Sequence, residues 1–414
     1  MAKKLVIIGT GFGGLWSALS AKRLAKLTNK ESQLEILIIS PKPSVVIRPR
    51  LYEANAAGMI HDIGPLLAES GIGFKQGFVE TINTDENSVV VRATAIATSG
   101  SDQPDTISYD RLILASGSSV VRPKFIPGIQ EHAFDIDSID AASRLEAHLK
   151  GLSTLPPSAA RDTIVVCGAG FTGIEIATEL PKRLTDPKPR IIVVESAAEL
   201  GPELGPGPRP VITQALNELG IEYKLGAAVS SIDRDSITLS SGEVIDTNTA
   251  IWTAGVRASP LTSQIPAPKD GLSRLKVDTH LRIPSTPAIF ATGDTASAAA
   301  DTLGHTTLMS CQHAIPMGRV SGHNAAADLL NEPLVDYAQA DYGTCLDLGA
   351  WGTVIAKEWE RNVAMQGDLA KKVKGFINQR LIYPPAGVEE AIKLADPVPE
   401  DSLRLWDVIL QAVA

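Results

Sequence analysis

Apolar positions along the chain follow two patterns, continuous short runs and helical spacing, and the two alternate. Leu5-Val6-Ile7-Ile8 is a continuous run, the pattern of a strand buried on both faces in a parallel sheet. Gly9-Thr10-Gly11-Phe12-Gly13-Gly14 follows, and residues 15–27 then predict a helix with Leu15, Ala18, Leu19 and Leu24 on its inner side. A second apolar run, 34–39, closes a unit of strand, turn, helix and strand with the glycines at its first turn. The same order returns in the middle of the chain. Residues 163–167 predict a strand, Gly168-Ala169-Gly170-Phe171-Thr172-Gly173 a turn, 174–184 a helix and 191–194 a strand ending in Glu195. Between the units, 88–92 and 111–114 predict short strands, and Leu155-Pro156-Pro157 marks a crossing into the second unit. Residues 201–210, rich in Gly and Pro, predict an ordered loop; 236–239 and 250–253 predict further strands. From Asp336 onward Tyr and Trp become more frequent, which suggests a smaller C-terminal domain.

Each glycine turn stands after a buried strand and at a helix start. In that context the first glycine (Gly9, Gly168) makes the tight turn and the second (Gly11, Gly170) lets backbone approach a pyrophosphate. The third (Gly14, Gly173) lets helix and strand pack closely. The pyrophosphate would meet the N–H groups and the positive dipole end of the helix. One such spacing arises by chance in glycine-rich loops; two, each in full context, point to two bound dinucleotides. The residue ending the second strand of each unit is placed to touch an adenosine ribose. In the second unit this is Glu195, whose carboxylate accepts from both ribose hydroxyls and repels a 2′-phosphate, favouring NADH over NADPH. In the first unit the position holds Ser40, with Lys42 close behind, and Ser40-Pro41 reads equally as a simple turn. Two dinucleotide sites in one chain suggest electron transfer between cofactors, since a nicotinamide carries hydride and a flavin passes it on as one or two electrons.

Composition narrows the class. The 414 residues are 44% hydrophobic and 21% charged, an ordinary globular balance with material for two or three domains. With 38 Lys+Arg against 47 Asp+Glu the formal net charge is −9, which offers no general attraction to nucleic acid or anionic lipid. Three cysteines, Cys167, Cys311 and Cys345, cannot form a disulfide framework or a C-x-x-C pair, so a reducing cytoplasmic setting is expected. The N-terminus lacks the apolar length of a signal peptide.

A family becomes visible in the remaining motifs. Tyr109-Asp110-Arg111-Leu112-Ile113-Leu114-Ala115-Ser116-Gly117-Ser118 resembles the second FAD motif of flavoprotein reductases with two dinucleotide domains. Ala288-Ile289-Phe290-Ala291-Thr292-Gly293-Asp294 resembles their third, in which the aspartate receives the ribityl chain. With Trp252-Thr253-Ala254-Gly255-Val256 between the last two, the order of motifs resembles the pyridine nucleotide-disulfide oxidoreductase superfamily over nearly the whole chain. The resemblance implies a glutathione-reductase-like α/β fold of two Rossmann-like three-layer domains plus a small C-terminal domain. FAD would occupy 1–155 and 276–335, NADH the inserted 156–275, and 336–414 would form the acceptor or interface domain. Residues implied at FAD are Gly9, Gly11, Phe12, Gly13, Gly14, Ser40, Lys42, Arg48, Ala115, Ser116, Gly117, Gly293 and Asp294. Those implied at NADH are Gly168, Gly170, Phe171, Thr172, Gly173, Glu195 and Gly255.

Within the superfamily, residues 173–180, Arg48-Pro49-Arg50-Leu51-Tyr52-Glu53 and Ile382-Tyr383-Pro384-Pro385 look like the type II NADH dehydrogenases and their soluble relatives. Disulfide reductases carry a C-x4-C pair beside the flavin; this chain has no cysteine before Cys167, which excludes dithiol chemistry. The resemblance makes Glu175 a positioning or proton-handling group near nicotinamide and flavin, against the plainer reading that it complements a helix N-terminus. It places Gln312 at the acceptor end of the flavin, in the stretch where relatives have Ala-Gln-x-Ala-x-Gln. Pro316 here replaces the second glutamine and removes an amide and a backbone donor, while His313 or Met317 shapes the pocket or only starts a helix.

No zinc-ligand spacing occurs, so no metal is expected. Residues 401–414 have Leu403, Trp406, Leu410 and Val413 at helical spacing but charges of Asp401, Arg404 and Asp407, which favours packing on its own protein or in a homodimer over a basic membrane anchor. Lys371, Lys372, Lys374 and Arg380 read as a solvated face or a peripheral membrane contact. Three functions stay open: NADH:quinone reductase, membrane-bound or soluble with another small acceptor; a flavoprotein resembling apoptosis-inducing factor, whose NADH-reduced state controls dimerisation; and, through Cys311 and Cys345, a sulfide:quinone-type oxidoreductase.

Overall fold

Two parallel sheets carry the two glycine turns, and each places its turn-bearing strand third of five. The computed structural model describes residues 2–94, 104–185, 188–398 and 402–413. The first sheet runs Ile289–Ala291, Arg111–Leu114, Lys3–Ile8, Leu34–Ser40, Gly73–Gln76. The second runs Ala133–Phe134, Thr249–Trp252, Thr163–Cys167, Arg190–Val194, Glu222–Lys224. All neighbouring pairs are parallel, which explains the uninterrupted apolar runs: both faces are covered. Leu5, Val6 and Ile7, and Ile164, Val165 and Val166, are fully buried. Each unit also carries a three-stranded antiparallel sheet, Phe78–Asn83, Ser88–Arg92 and Asp105–Ser108 in the first, Val229–Ile232, Ser236–Leu239 and Val244–Asp246 in the second. Ala133–Phe134 lies ahead of position 156 yet pairs with Thr249–Trp252 in the second sheet.

The helices start earlier than apolar periodicity indicates. They span Phe12–Leu27 and Phe171–Arg183, beginning one residue after the second glycine of each turn. Glu175 is therefore the fifth residue of its helix and buried at 8% exposure, beyond the first turn where a helix dipole acts. The loop expected at 201–210 contains the 3-10 turn Pro202–Leu204 and leads into the helix Arg209–Leu219.

The helix Cys311–Leu330 lies against Phe12–Leu27. A Cβ on Gly318 would stand 2.5 Å from the Gly13 carbonyl oxygen, and one on Gly322 only 2.0 Å from that of Ser17. Glycine is required for that backbone approach, and Ser17 and Ser321 hydroxyls bond across it at 3.0 Å. The contact sets the start of Cys311–Leu330 beside the first fingerprint, where the Ser310 hydroxyl caps it by accepting from the His313 N–H.

The C-terminal part is an antiparallel sheet, Gly343–Asp347, Thr353–Lys357 and Asn362–Gly367, covered by the helix Asp368–Phe376. The expected terminal helix is present as Ser402–Val413. Ile409 is buried against Ile355, Ala370 and Val373, and Lys357 Nζ lies over the Trp406 ring at 4.4 Å. Asp401, Ala414 and the side chains of Leu403 and Arg404 lie outside the described residues. The basic cluster upstream divides: Lys372 and Arg380 are exposed, whereas Lys374 is buried at 8% exposure and Lys371 pairs with Asp347.

Candidate functional site

Around the first turn the backbone is bent and crowded except at one point. Gly9 adopts φ +106°, and a Cβ there would meet the Ala115 carbonyl oxygen at 2.5 Å; a Cβ on Gly14 would meet the Gly9 oxygen at 1.9 Å. Gly11 alone in that turn has nothing within 4 Å of an added Cβ, so the open side of the turn is where a phosphate can approach. Two buried hydroxyls nearby, Ser116 Oγ and Thr292 Oγ1, have no partner among the described residues. Thr292 touches Gly13, its Cγ2 lying 3.1 Å from where a Cβ would stand.

Next to this cradle Arg48 joins three motifs. Its Nη1 donates to Ser118 Oγ at 3.1 Å and to Asp294 Oδ2 at 3.4 Å, and its Nη2 pairs with Asp137. Ser118 Oγ donates to Asp294 Oδ2 at 2.6 Å, and Asp137 Oδ2 accepts from the Val120 N–H at 3.0 Å. Gly117 (φ +70°) and Gly293 (φ +59°) supply the bends that bring these groups together. Ser40 is buried, its hydroxyl 3.0 Å from that of Thr10, and Lys42 is exposed. The structure brings two further motifs into contact, since Arg50 Nη1 donates to the Tyr383 hydroxyl at 2.8 Å while its other nitrogens grip Glu53.

The second turn repeats the geometry, with Gly168 at φ +112° and a Gly173 Cβ that would lie 1.9 Å from the Gly168 oxygen. Glu195 stands at the end of its strand beside the turn. Its Oε2 accepts from the Ala169 N–H at 2.8 Å and its Oε1 from the Ala197 N–H at 2.8 Å. Phe171 is half-buried and Thr172 exposed at the helix start, and Gly255 (φ +81°) has open space on its Cβ side.

Glu175 meets a partner that sequence spacing does not reveal. Lys374 Nζ donates to Glu175 Oε1 at 2.9 Å and to the Cys345 carbonyl at 2.7 Å, and the Asp347 N–H donates to the same carboxylate at 3.1 Å. Burial pushes the Glu175 carboxyl up, opposed by the Lys374 ammonium. Burial pulls the ammonium down, but Glu175, Cys345 and Asp347 together hold Lys374 above its ordinary value. A step away, Asp347 Oδ2 accepts from the Tyr52 hydroxyl at 2.9 Å and from Lys371 Nζ at 2.7 Å. A cavity of about 250 Å³ opens beside them, lined by Tyr52, Glu53, Asp347, Lys371 and Lys374. Lys374 could have been found from helix phase: it shares a face with the buried Ala370 and Val373.

Gln312 is exposed, and its carbonyl accepts from Gln339 Nε2 at 3.2 Å. His313 is buried, stacked on Tyr342 with centroids 5.0 Å apart, and burial pushes its imidazole down to about 4. Tyr342 stacks in turn on Trp359 at 4.9 Å, and Trp359 on His305 at 4.4 Å. The three thiols are free. Burial pushes Cys167 and Cys345 up to about 12 and raises Cys311, whose thiol is also drawn down by Lys374 and pushed up by Asp294. Cys311 thus lies within the fields of both clusters, the Arg48–Asp294 group and the Glu175–Lys374 pair.

Two Rossmann-like units, each with a glycine turn between a buried strand and a helix start, define a nucleotide-binding protein of the α/β class. The chain belongs to the pyridine nucleotide-disulphide oxidoreductase family, which it matches over residues 3–318. It is 42% identical over 404 residues to an NADH dehydrogenase-like protein of Mycobacterium tuberculosis, covering 96% of this chain and 98% of that one. It is 26% identical over 413 residues to the type II NADH:quinone oxidoreductase of Staphylococcus epidermidis, covering 94% and 98%. In fold it is similar to NDH2 from Plasmodium falciparum in complex with NADH, with a TM-score of 0.76 at 15% identity, covering 95% and 97%.

Proposed function

We propose that the protein is a flavin-dependent NADH:quinone oxidoreductase with FAD in the first unit and NADH in the second. The observation that carries this reading is the pair of pyrophosphate-shaped glycine turns, one of them adjoined by the Arg48–Ser118–Asp294 cluster. FAD is favoured over FMN because the first turn is built for a pyrophosphate, which FMN lacks. The unpartnered Ser116 and Thr292 hydroxyls fit a polar ligand at that place. We assign 1–155 and 276–335 to the FAD unit, apart from the strand Ala133–Phe134, which joins the second sheet, 156–275 to the NADH unit and 336–414 to the acceptor side.

A bound flavin would take hydride from the nicotinamide and pass electrons to the acceptor. The chain's own contribution is orientation and charge. The helix starts at Phe12 and Phe171 hold the two pyrophosphates by backbone N–H groups. Glu195 receives the adenosine ribose and disfavours a 2′-phosphate. Arg48, fixed between Asp137 and Asp294, positions the ribityl side. Glu175 and Lys374 hold a proton in a site screened from solvent, and Asp347, Lys371 and Tyr52 connect that site to the cavity. Gln312, His313 and Tyr342 form the acceptor edge, with Pro316 inside the helix Cys311–Leu330. No helix among the described residues is long and apolar enough to cross a membrane. A membrane quinone would be met through the C-terminal surface, where Val408 is 50% and Leu410 37% exposed.

The test is anaerobic mixing of the FAD-loaded protein with NADH or NADPH, followed by a soluble quinone. Bleaching of the flavin band by NADH and recovery on quinone is expected, with Glu195→Ala narrowing the preference for NADH over NADPH about tenfold. Bleaching without recovery would refute the quinone assignment, and an unchanged preference in Glu195→Ala would refute the ribose assignment.

A further inference from the structure

Glu203 belongs to the turn Pro202–Leu204, in the loop that leads from the strand Arg190–Val194 to the helix Arg209–Leu219. Its Oε1 accepts from the Phe171 N–H at 3.3 Å and lies 2.5 Å from where a Cβ on Gly170 would stand. A carboxylate therefore sits at the positive end of the helix Phe171–Arg183, against the backbone face that glycine leaves bare. The first fingerprint is different: nothing lies within 4 Å of a Cβ on Gly11. The far side of the same loop is seated on the C-terminal sheet. A Cβ on Gly205 would lie 2.8 Å from Arg361 Cγ and one on Gly207 2.2 Å from the Arg361 oxygen. Arg361 in turn lies over the Tyr342 ring at 4.4 Å.

We propose that Glu203 is a built-in competitor for the pyrophosphate of NADH, filling the helix end in the free protein and leaving it when the dinucleotide binds. The proposal rests on the second fingerprint being the NADH site. A helix N-terminus stabilises one anion by its N–H groups and dipole, and a carboxylate and a pyrophosphate cannot share the same N–H groups. Glu203 is exposed on a turn flanked by Gly201 and Gly205, both at positive φ, so its side chain can swing off the helix end while Gly205 and Gly207 stay seated against Arg361. Glu203 thereby sets how tightly NADH is held.

The test compares FAD-loaded wild type with Glu203→Gln and Glu203→Asp. Binding of NAD+ is measured by equilibrium dialysis, KM for NADH by flavin reduction, and competition by added inorganic pyrophosphate. Glu203→Gln removes the charge at an exposed position and keeps the shape. It is expected to lower the dissociation constant and KM by about two- to fivefold and to make pyrophosphate a stronger inhibitor by a similar factor, while Glu203→Asp stays near wild type. Unchanged or weaker binding in Glu203→Gln would overturn the proposal and mark Glu203 as a spectator or a ligand of NADH. If wild type neither binds NAD+ nor is reduced by NADH, the reading of the second fingerprint falls and the competitor falls with it.

Discussion

Lys374 shows how one side chain can decide the state of another far away in sequence. Glu175 is buried and its counter-charge comes from 199 positions further on. Removing one partner of a buried ion pair leaves an uncompensated charge, which costs about 3–5 kcal/mol, whereas removing both is often nearly neutral. Lys374→Met is therefore expected to lower stability by about that amount in thermal or urea unfolding. Glu175→Gln combined with Lys374→Met should recover most of it. A double variant as unstable as the single one would mean that the pair is not the source of the loss. Glu175 itself was legible as a candidate because a family motif carries it. Lys374 escapes notice because a lysine among other basic residues reads as solvated unless its helical phase with Ala370 and Val373 is followed.

Helices and strands were legible where the local pattern is strong. Thr163–Cys167, Ser88–Arg92 and Arg111–Leu114 fall where apolar runs put them. The strand Ala133–Phe134 has only two residues and no periodicity to read; it exists because Thr249–Trp252 offers an edge. The crossing of Phe12–Leu27 by Cys311–Leu330 was equally hidden, since a glycine spaced four from another says nothing about its partner. That crossing is testable. Gly322→Leu forces a side chain into a place where even its Cβ would stand 2.0 Å from backbone, and overpacking of this kind costs about 1–3 kcal/mol or more. A lowered melting temperature and faster loss of flavin on dilution are expected, because the same crossing sets the start of Cys311–Leu330 beside the first turn. Retention of flavin at wild-type strength would separate the crossing from the cofactor seat.

Across the whole molecule, acid sensitivity follows from histidines held neutral in different parts of the fold. His148, His313 and His323 are all pushed below their ordinary 6.5, chiefly by burial, His313 to about 4. The unfolded chain binds protons at these groups as pH falls past 6.5, and the folded chain does not until pH is lower still. Stability is then complete above 6.5 and declines as pH falls toward 4. Melting temperatures between pH 7.5 and 4.5 should show this slope, and His313→Gln should make it shallower; an equal slope in the variant would remove His313 from the cause.

Counted from the first glycine of each fingerprint, Trp16 and Glu175 occupy the same place. Each is met by a cation from a later helix: the Arg319 guanidinium lies over the Trp16 ring at 4.4 Å, and Lys374 reaches Glu175 at 2.9 Å. Both sheets set the turn-bearing strand third of five, but they differ at one edge: Ile289–Ala291 comes last in its unit, whereas Ala133–Phe134 comes first in its own. The two clasps come from different parts of the chain, one from the helix Cys311–Leu330 and the other from the helix Asp368–Phe376 of the C-terminal part. At this equivalent position one unit carries an aromatic anchor and the other a titratable one, so two units of similar shape differ in the proton chemistry each can support.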